Sequence, residues 1–333
     1  MLGVIVDLVK LEMSVPEDKI AKAIFAIDEV RYASFAYVES VQRLLGILAF
    51  VGRVLLSGSW HLAATITGLR VSSITGFVKV SQLWCDELDW WAELLTRWNC
   101  KALMVPRKWT PPTYETTFFT DASRSKAHGG GAGGIFKQMV FQFDFSSEEI
   151  DGMEIADLEG LAHFLFLAEL CARCPEELEG KRFITRCDNM NFVDAVNRSK
   201  ATTPSIAFLV GEVHKLQALH SFDLRLIFVP SKDNEMADAL SRKAWKRVAA
   251  FIAGRTWNAY PQLRSNPLTT DRRCLEWDSF VTTLPDVVRA KANTLCWISV
   301  QEALRFRTAS SMIQRRRWAR HTLLARELAG RLP

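Results

Sequence analysis

Apolar residues follow two different spacings along the chain, and the change comes after residue 105. Residues 1–15 alternate between apolar and polar, as one or two short strands do. Further on, apolar residues recur at the three- and four-residue spacing of a helix face. The helices predicted from this spacing cover residues 17–30, 36–55 and 81–96. Three prolines then mark 106–112 as a linker, so 1–105 is predicted to be a largely helical module.

Residues 113–245 combine short β-rich runs with helical segments. The predicted strands cover residues 116–120, 135–140, 141–145, 183–188 and 224–229, and a predicted glycine-rich turn covers 129–134. The predicted helices cover residues 155–172, 189–197, 205–220 and 234–250. This order predicts an α/β fold, a mixed five-stranded sheet with helices on its faces. Residues 246–333 contain helical pieces interrupted by prolines and are predicted to form a helical, basic tail.

The composition is that of a globular protein, with 49% hydrophobic and 24% charged residues in a chain of 333. The seven cysteines lack the spacing of a disulfide framework, which predicts a reduced, intracellular protein. The longest apolar run, Leu44–Leu56, contains Arg53 and is too short to cross a bilayer. We therefore expect a soluble protein with no membrane partner, in either the nucleus or the cytoplasm.

The net charge of +5 is mild, and it permits a polyanionic partner without requiring one. The basic residues concentrate in Arg305–Arg331, where arginines alternate with apolar side chains. This pattern suits an amphipathic helix that lies on a polyanion or a partner protein, and it suits equally a solvated basic face of a packed helix.

Four acidic residues of 113–245 lie at the ends of predicted strands or within predicted helices. In chain order they are Asp121, Glu159, Asp188 and Asp238. Asp121 and Asp188 lie at the ends of predicted strands. Side chains at the strand ends of an open α/β sheet meet in a crevice. Four carboxylates there would repel one another unless cations lay between them, and hard oxygen ligands select Mg²⁺ or Mn²⁺. We expect two ions, because a pair of metals can clamp a phosphodiester from both sides.

A single acidic residue at a strand end is more often solvated surface or a helix cap than a metal ligand. Four of them in one β–α order are harder to attribute to chance. Other acids in the same segment compete for these roles, namely Glu154, Asp157, Asp194 and Asp233.

Four short motifs give the segment a family resemblance. They are Thr-Asp-Ala-Ser at 120–123, Leu-Glu-Gly-Leu-Ala at 158–162, Cys-Asp-Asn at 187–189 and Asn-Glu-Met-Ala-Asp-Ala-Leu-Ser-Arg at 234–242. In this order and spacing they resemble the ribonuclease H domain of retroelement reverse transcriptases, and the fourth motif is the most specific. The resemblance implies a ribonuclease H-like fold over 113–245. It also implies that the metal ligands and catalytic residues are Asp121, Glu159, Asp188 and Asp238.

The substrate implied by the resemblance is an RNA–DNA hybrid. Ser123, Arg124 and Lys126 follow the first aspartate and are candidates for phosphate contacts. Asn189 follows Asp188 and is placed to hydrogen-bond a 2′-hydroxyl, which distinguishes RNA from DNA. Many such nucleases carry a histidine in the loop before the last aspartate, and this chain has none there. Either Lys232 takes its place or turnover is slower.

The resemblance extends upstream over residues 1–105. Leu2–Asp7 resembles the strand that closes the palm of a reverse transcriptase, and Gln42–Phe50 followed by Arg53 resembles its thumb or connection helix. Asp89–Asn99 is similar to a segment before the nuclease in tyrosine-recombinase (DIRS-type) retrotransposons, although its tryptophans are also typical of a helix core. The chain lacks the Tyr-x-Asp-Asp hairpin that holds polymerase metals. We therefore expect no polymerase activity, and a separate polymerase is a candidate partner.

Three functions are compatible with these patterns. The first is an active hybrid nuclease, favoured by the complete set of four acids. The second is a catalytically silent descendant that binds nucleic acid or serves as a structural subunit. The third is a nuclease of the same fold that cuts DNA during recombination or transposition.

Overall fold

The computed structural model describes part of the chain. The described residues are 3–55, 62, 65–66, 68–69, 76–98, 100–104, 109–110, 117–125, 129–199, 203–254 and 275–298. The chain divides into two compact units. The first unit consists of Met1–Trp109, Pro175–Arg182 and Gly211–Asp223, and the second of Thr110–Cys174, Phe183–Val210 and Leu224–Pro333.

The first unit combines helices with short strands. Its helices are α1 (Glu17–Arg31), α2 (Val38–Val51) and α3 (Gln82–Arg97). Strands β1 (Ile5–Asp7), β2 (Glu12–Ser14) and β5 (Lys101–Leu103) form one antiparallel sheet, and β3 (Phe35–Tyr37) pairs with β4 (Phe77–Lys79). The helices pack around a core that includes the fully buried Leu44, Leu48 and Trp91. The module expected to be largely helical thus contains two small sheets, and its identity as a thumb or connection is not confirmed.

One predicted helix of this unit begins late. The apolar spacing predicted a helix over 36–55, but residues 35–37 form β3 and the helix starts at Val38. The reason is tertiary, because Phe35, Ala36 and Tyr37 pair with Lys79, Val78 and Phe77. Alternating burial along β3 leaves only its central residue inside.

The second unit is built on a mixed sheet. Its strands are β6 (Phe119–Ser125), β7 (Gly129–Phe136), β8 (Met139–Phe145), β9 (Arg182–Cys187), β10 (Asp223–Phe228) and β11 (Cys296–Ile298). The order across the sheet is β10-β9-β6-β7-β8-β11. Strand β6 is antiparallel to β7 and parallel to β9, and β11 is parallel to β8. The predicted mixed sheet is present, but the predicted strand 135–140 spans the turn between β7 and β8, and the sheet has a further strand, β11, that sequence patterns missed.

Helices follow the strands in the predicted order. They are α4 (Ile155–Arg173), α5 (Met190–Arg198), α6 (Pro204–Leu219), α7 (Glu235–Ser241), α8 (Trp245–Ala253), α9 (Leu275–Val281) and α10 (Asp286–Ala292). Successive residues of β6 face opposite sides of the sheet. Thr120 contacts His163 of α4, whereas Asp121 contacts Ser241 of α7. The arrangement is a mixed α/β fold compatible with the predicted ribonuclease H-like architecture.

The glycine-rich segment 129–134 is not the turn that its composition predicted, because it forms most of β7. A Cβ added to Gly131 would lie 2.1 Å from the carbonyl oxygen of Ser241, and one added to Gly133 would lie 2.4 Å from the Ser241 nitrogen. Real side chains do not tolerate such distances. These glycines therefore let α7 approach the sheet closely, and close backbone approach is a known reason for glycine inside a strand.

Two further boundaries differ from the predictions. Strand β6 continues to Ser125, so Asp121 lies inside the strand and not at its end. The helix predicted over 234–250 is two helices, because Lys243 adopts a left-handed φ of 51° between α7 and α8. That bend turns the second helix away from the direction of the first.

The predicted tail, 246–333, is not only helical. Residues 275–298 carry α9, α10 and β11, and Trp277, Trp297 and Leu295 are buried in one core with Phe119 of β6. Arg305–Arg331 lies outside the described residues, as does most of the predicted 106–112 linker. In the part of the chain that the structure describes, no helix has the length and apolarity required to cross a membrane.

Candidate active site

The register of two parallel strands brings two of the predicted acids together. The last residues paired between β6 and β9 are Thr120 and Cys187. Asp121 and Asp188 follow directly after these paired residues, one on each strand, and neighbouring strands lie about 4.8 Å apart. Asp121 is 4% exposed, so its carboxylate is largely shielded from water.

Helix α4 supplies the third acid. Its start is fixed where the Asp157 carboxylate accepts a hydrogen bond of 3.0 Å from the backbone nitrogen of Glu154. Glu159 lies just beyond this first turn. One ligand oxygen from each of Asp121, Glu159 and Asp188 lies within 4.8 Å of the others. We refer to these three residues as the acid cluster.

Burial and mutual repulsion raise the pKa values of the acid cluster. The pKa of Asp121 rises from 3.8 to about 8, first because of burial and then because of the charges of Asp188 and Asp238. Burial, followed by the charge of Asp188, raises the pKa of Glu159 from 4.5 to about 7. Burial also raises the pKa of Asp188. Without a counter-charge, these three groups resist being ionised together.

The acid cluster is chemically suited to a divalent cation. All its donors are carboxylate oxygens, the ligands that Mg²⁺, Mn²⁺ and Ca²⁺ prefer. Oδ1 of Asp188 is buried and has no hydrogen-bond partner among the described residues. An orphaned, buried acceptor of this kind is costly unless a cation or water satisfies it. The cluster can therefore hold a metal ion.

Asp238 is close to the acid cluster but is engaged elsewhere. One oxygen accepts a 2.6 Å hydrogen bond from Nε of Arg242, and the other accepts one of 2.7 Å from Arg247. Burial alone would raise the pKa of Asp238, but these hydrogen bonds outweigh it and the pKa is lowered. Asp238 does not belong to the group of three that lies within mutual ligand distance. Its predicted role as a fourth ligand stays a prediction.

Serine side chains join α7 to the strand that carries Asp121. Ser241 donates a 2.6 Å hydrogen bond from Oγ to Oδ2 of Asp121. Ser123 in turn donates from Oγ to the carbonyl oxygen of Ser241, at 2.7 Å. On the loop before α7, Asn234 donates to the carbonyl oxygen of Thr120 at 2.9 Å. These bonds fix the position and orientation of Asp121.

The residues predicted to contact substrate differ in accessibility. Ser123 is buried against α7, a placement that does not favour its predicted phosphate contact. Arg124 is exposed and donates to the carbonyl oxygen of Met153. Asn189 is 7% exposed and caps α5 by accepting from the nitrogen of Phe192. Lys126 lies outside the described residues.

Lys232 lies on the loop that precedes α7. Its side chain is exposed at the edge of a cleft of about 260 Å³, which Phe119, Arg186 and Phe251 also line. The neighbouring Ser231 donates a 3.2 Å hydrogen bond from Oγ to Oδ2 of Asp188. Lys232 is therefore one residue from a side chain that contacts the acid cluster. This position is compatible with its predicted role in place of the loop histidine.

Two of the four competing acids, Asp157 and Asp194, have structural contacts. Asp157 accepts a 2.5 Å hydrogen bond from Ser205, and Asp194 pairs with Arg198 one helical turn away. Sequence reasoning missed three polar residues at the site, Ser241, Arg242 and Arg247. The first two belong to the Leu-Ser-Arg end of the fourth motif, so that signal was present in the chain. Arg247 carried no signal, because only the bend after α7 brings it back to Asp238.

Comparisons with known proteins add little to this geometry. No family model and no curated protein matches the chain. Among solved structures, the chain is similar to ribonuclease H1 from the halophilic archaeon Halobacterium salinarum NRC-1. The two share 15% sequence identity over 39% of this chain and 96% of that chain, with a TM-score of 0.26. A TM-score of this size does not establish a shared fold.

Proposed function

We propose that this chain is a metal-dependent nuclease of the ribonuclease H type, which hydrolyses the RNA strand of RNA–DNA hybrids. The observation that carries the proposal is the acid cluster, in which three partly or fully buried carboxylates lie within 4.8 Å of one another. Such crowding is unfavourable for anions unless a cation lies among them. The four motifs that resemble retroelement ribonucleases H narrow the substrate to a hybrid.

Asp121, Glu159 and Asp188 would hold two Mg²⁺ or Mn²⁺ ions, with Asp238 as a fourth ligand when its arginines release it. When bound, the ions would supply Lewis acidity and make a bound water molecule more acidic. The chain itself supplies orientation. Ser241 holds Oδ2 of Asp121 at 2.6 Å, and burial keeps bulk water from weakening these contacts.

The substrate would lie across the exposed side of the acid cluster. In this proposal Arg124, Lys126 and Lys232 contact phosphates, while Ser123 acts through its hydrogen bond to α7. Asn189 would contact a 2′-hydroxyl in addition to the 3.1 Å bond that its side-chain nitrogen donates to the carbonyl oxygen of Ala156.

We further propose that the chain derives from a DIRS-type retroelement, is intracellular, and lacks polymerase activity. A palm-end strand and thumb or connection-like region would span 1–105 and a linker 106–112. The nuclease domain would span 113–245 and a basic region 246–333. Copying of nucleic acid would then require a separate polymerase.

A second candidate is a catalytically silent nucleic-acid-binding or structural subunit. The observation that favours it is the engagement of both Asp238 oxygens by Arg242 and Arg247. A fourth carboxylate held in this way is not available to a metal ion.

A cleavage assay separates the two candidates. Wild type and Asp188→Asn are incubated with Mg²⁺ and a labelled RNA–DNA hybrid, duplex DNA or duplex RNA. Asp194→Asn is the matched control, because Asp194 is also an aspartate of the second unit and its side chain is 51% exposed. We expect the wild type and the control to cut the RNA of the hybrid and Asp188→Asn to fail. Equal cutting by all three proteins, or no cutting by wild type, contradicts the proposal. If wild type prefers duplex DNA, the substrate is duplex DNA and not the hybrid.

A further inference from the structure

Arg242 and Arg247 form a positively charged pair beside the acid cluster. Both donate to the same carboxylate, that of Asp238, at 2.6 and 2.7 Å. The two arginine side chains are 55% and 47% exposed, whereas that of Asp238 is 18% exposed. The carboxylate thus lies inside, and the guanidinium groups face outward.

The bend between α7 and α8 creates this arrangement. Lys243 adopts a left-handed φ of 51°, and the nitrogen of Ala244 donates to the carbonyl oxygen of Ala239 at 2.8 Å. Arg242 is one helical turn beyond Asp238, but Arg247 is nine residues beyond it and would lie farther along a continuous helix. Folding α8 back brings the second guanidinium to the same carboxylate.

The two arginines have binding capacity left over. A guanidinium group carries five N–H donors in a planar fork. In the described part of the chain, Arg242 uses Nε and Arg247 uses one terminal nitrogen in these contacts with Asp238. Two positive charges against one negative leave the pair with a net charge of +1. The remaining donors and this charge favour an anion that can be bound bidentately, such as a phosphate.

We propose that Arg242 and Arg247 bind backbone phosphates of the nucleic-acid substrate, and that these phosphates displace Asp238 and free it to face the acid cluster. The inference rests on the proposed function, because it deepens the substrate contact of the same site. Partly exposed ion pairs typically contribute little to stability. A polyanion that releases its counterions on binding is a strong enough competitor to displace Asp238.

The arginines also solve an electrostatic problem of the site. Asp121, Glu159 and Asp188 repel phosphate whenever they are ionised and cations are absent. Arg242 is near enough for the charges of Asp121 and Asp188 to raise its pKa, after the larger effect of its hydrogen bond to Asp238. The positive charge of the two arginines attracts the nucleic-acid strand toward the acid cluster, which is proposed to act on it.

The test measures binding of a fluorescently labelled RNA–DNA hybrid to the full chain in excess EDTA, at several salt concentrations. Arg242→Gln and Arg247→Gln each remove one positive charge. Arg225→Gln is the matched control, because Arg225 is exposed on β10. We expect each test variant to reduce the slope of log affinity against log salt by about 0.9 for each phosphate that the protein no longer neutralises. The control should keep the wild-type slope.

A second variant tests the displacement of Asp238. Asp238→Asn keeps an acceptor oxygen but removes the competing negative charge, so the metal-free protein should bind the hybrid more tightly. In a protein that also carries Arg242→Gln and Arg247→Gln, the same change should raise the affinity much less, because only the direct repulsion between Asp238 and phosphate is then removed. Thermal unfolding of every variant checks that the chain is folded. An unchanged salt slope in both arginine variants, or weaker binding by Asp238→Asn, overturns the inference.

Because divalent ions are absent, these measurements are independent of cleavage. Reduced salt slopes in a protein that never cuts hybrid support the phosphate contact and contradict the nuclease proposal. If the arginine variants keep the wild-type salt slope and cutting depends on Asp188, the nuclease proposal is supported and the phosphate contact is contradicted.

Discussion

Asp121 and Asp238 lie in the same unit and carry the same side chain, yet their surroundings impose opposite behaviour. Asp121 is on a central strand among other acids, and its pKa rises to about 8. Asp238 is on a short helix beside two arginines, which lower its pKa. The difference shows that membership of a motif set does not fix a carboxylate's role. The neighbouring side chains determine whether a carboxylate needs a metal cation, as Asp121 does, or is already neutralised by arginines, as Asp238 is.

The largest expected effect compares cleavage by Asp121→Asn and Asp238→Asn. Asp121→Asn removes a proposed ligand, and metal-ion catalysis is worth several kcal/mol, so activity should fall about a thousandfold or more. Asp238→Asn should cost less, about 10–100-fold, because Asp238 is proposed to join the ligands only after its arginines release it. Initial rates on labelled hybrid at saturating Mg²⁺ measure both. Equal losses would mean that Asp238 is a permanent ligand, as essential as Asp121.

The second prediction concerns metal and pH. In protein freed of divalent ions, stability should fall as the pH rises, because the folded state favours protonated Asp121 and Glu159, whose pKa values are raised to about 8 and about 7. Their stabilisation is complete below the ordinary values of 3.8 and 4.5, and it is lost as the pH passes through 7 and 8. At about pH 9, Mg²⁺ at a hundredfold excess over its dissociation constant should restore about 2.7 kcal/mol.

Urea unfolding between about pH 6.5 and pH 9 measures this change. The range avoids His163, whose burial lowers its pKa from 6.5 to about 3 and which reduces stability only as the pH falls below 6.5. Asp188→Asn should abolish the stabilisation by Mg²⁺, whereas Asp238→Asn should keep it. If the free energy of unfolding in EDTA does not change with pH, the carboxylates of the acid cluster repel one another less than their geometry indicates.

A third prediction tests the packing that holds Asp121 and Asp238 near each other. Gly131→Ala would put a Cβ 2.1 Å from the carbonyl oxygen of Ser241, so α7 must move away from β7. We expect the free energy of unfolding to fall by about 1–3 kcal/mol, as overpacking typically costs. Chemical denaturation measures the loss, and hybrid cleavage should fall as well, because Ser241 would no longer hold Asp121.

Gly46→Ala is the matched control for that change and the smallest expected effect. Gly46 lies within α2, and a Cβ there meets no atom within 4 Å. Replacing a helical glycine by alanine should raise the free energy of unfolding by about 0.8–1 kcal/mol. Unchanged stability in Gly131→Ala would contradict the close contact between α7 and the sheet, whereas a loss of stability in Gly46→Ala would contradict the open space around Gly46.

The sequence predicted most elements of the second unit because local signals agreed there with the tertiary structure. Helix α4 was expected to end at residue 172 and ends at Arg173. Strand β9 shifts by a single residue from the expected 183–188. The convergence of Asp121, Glu159 and Asp188 was likewise expected from their positions in the β–α order.

Errors arose where contacts distant in sequence override local preference. The glycines within 130–134 have turn composition, but they pair with β6 and β8 as a strand, and their lack of side chains lets α7 and α4 approach closely. Strand β11 is only three residues long, and its pairing partner Met139–Phe141 is more than 150 residues earlier in the chain. The contact of Arg247 with Asp238 depends on a left-handed backbone at Lys243, and lysine gives no signal for that conformation.

Strand β11 also determines how shortened forms of this protein should behave. A chain cut after residue 245, at the end of the predicted nuclease domain, would leave β8 as an open edge with unpaired backbone groups. It would also lose Trp277 and Trp297, which are 2% and 6% exposed and belong to the same hydrophobic core as Val140 and Ile135. Bare edges of this kind recruit strands from other molecules. Truncated chains should therefore self-associate, whereas chains that extend to residue 298 should remain dispersed.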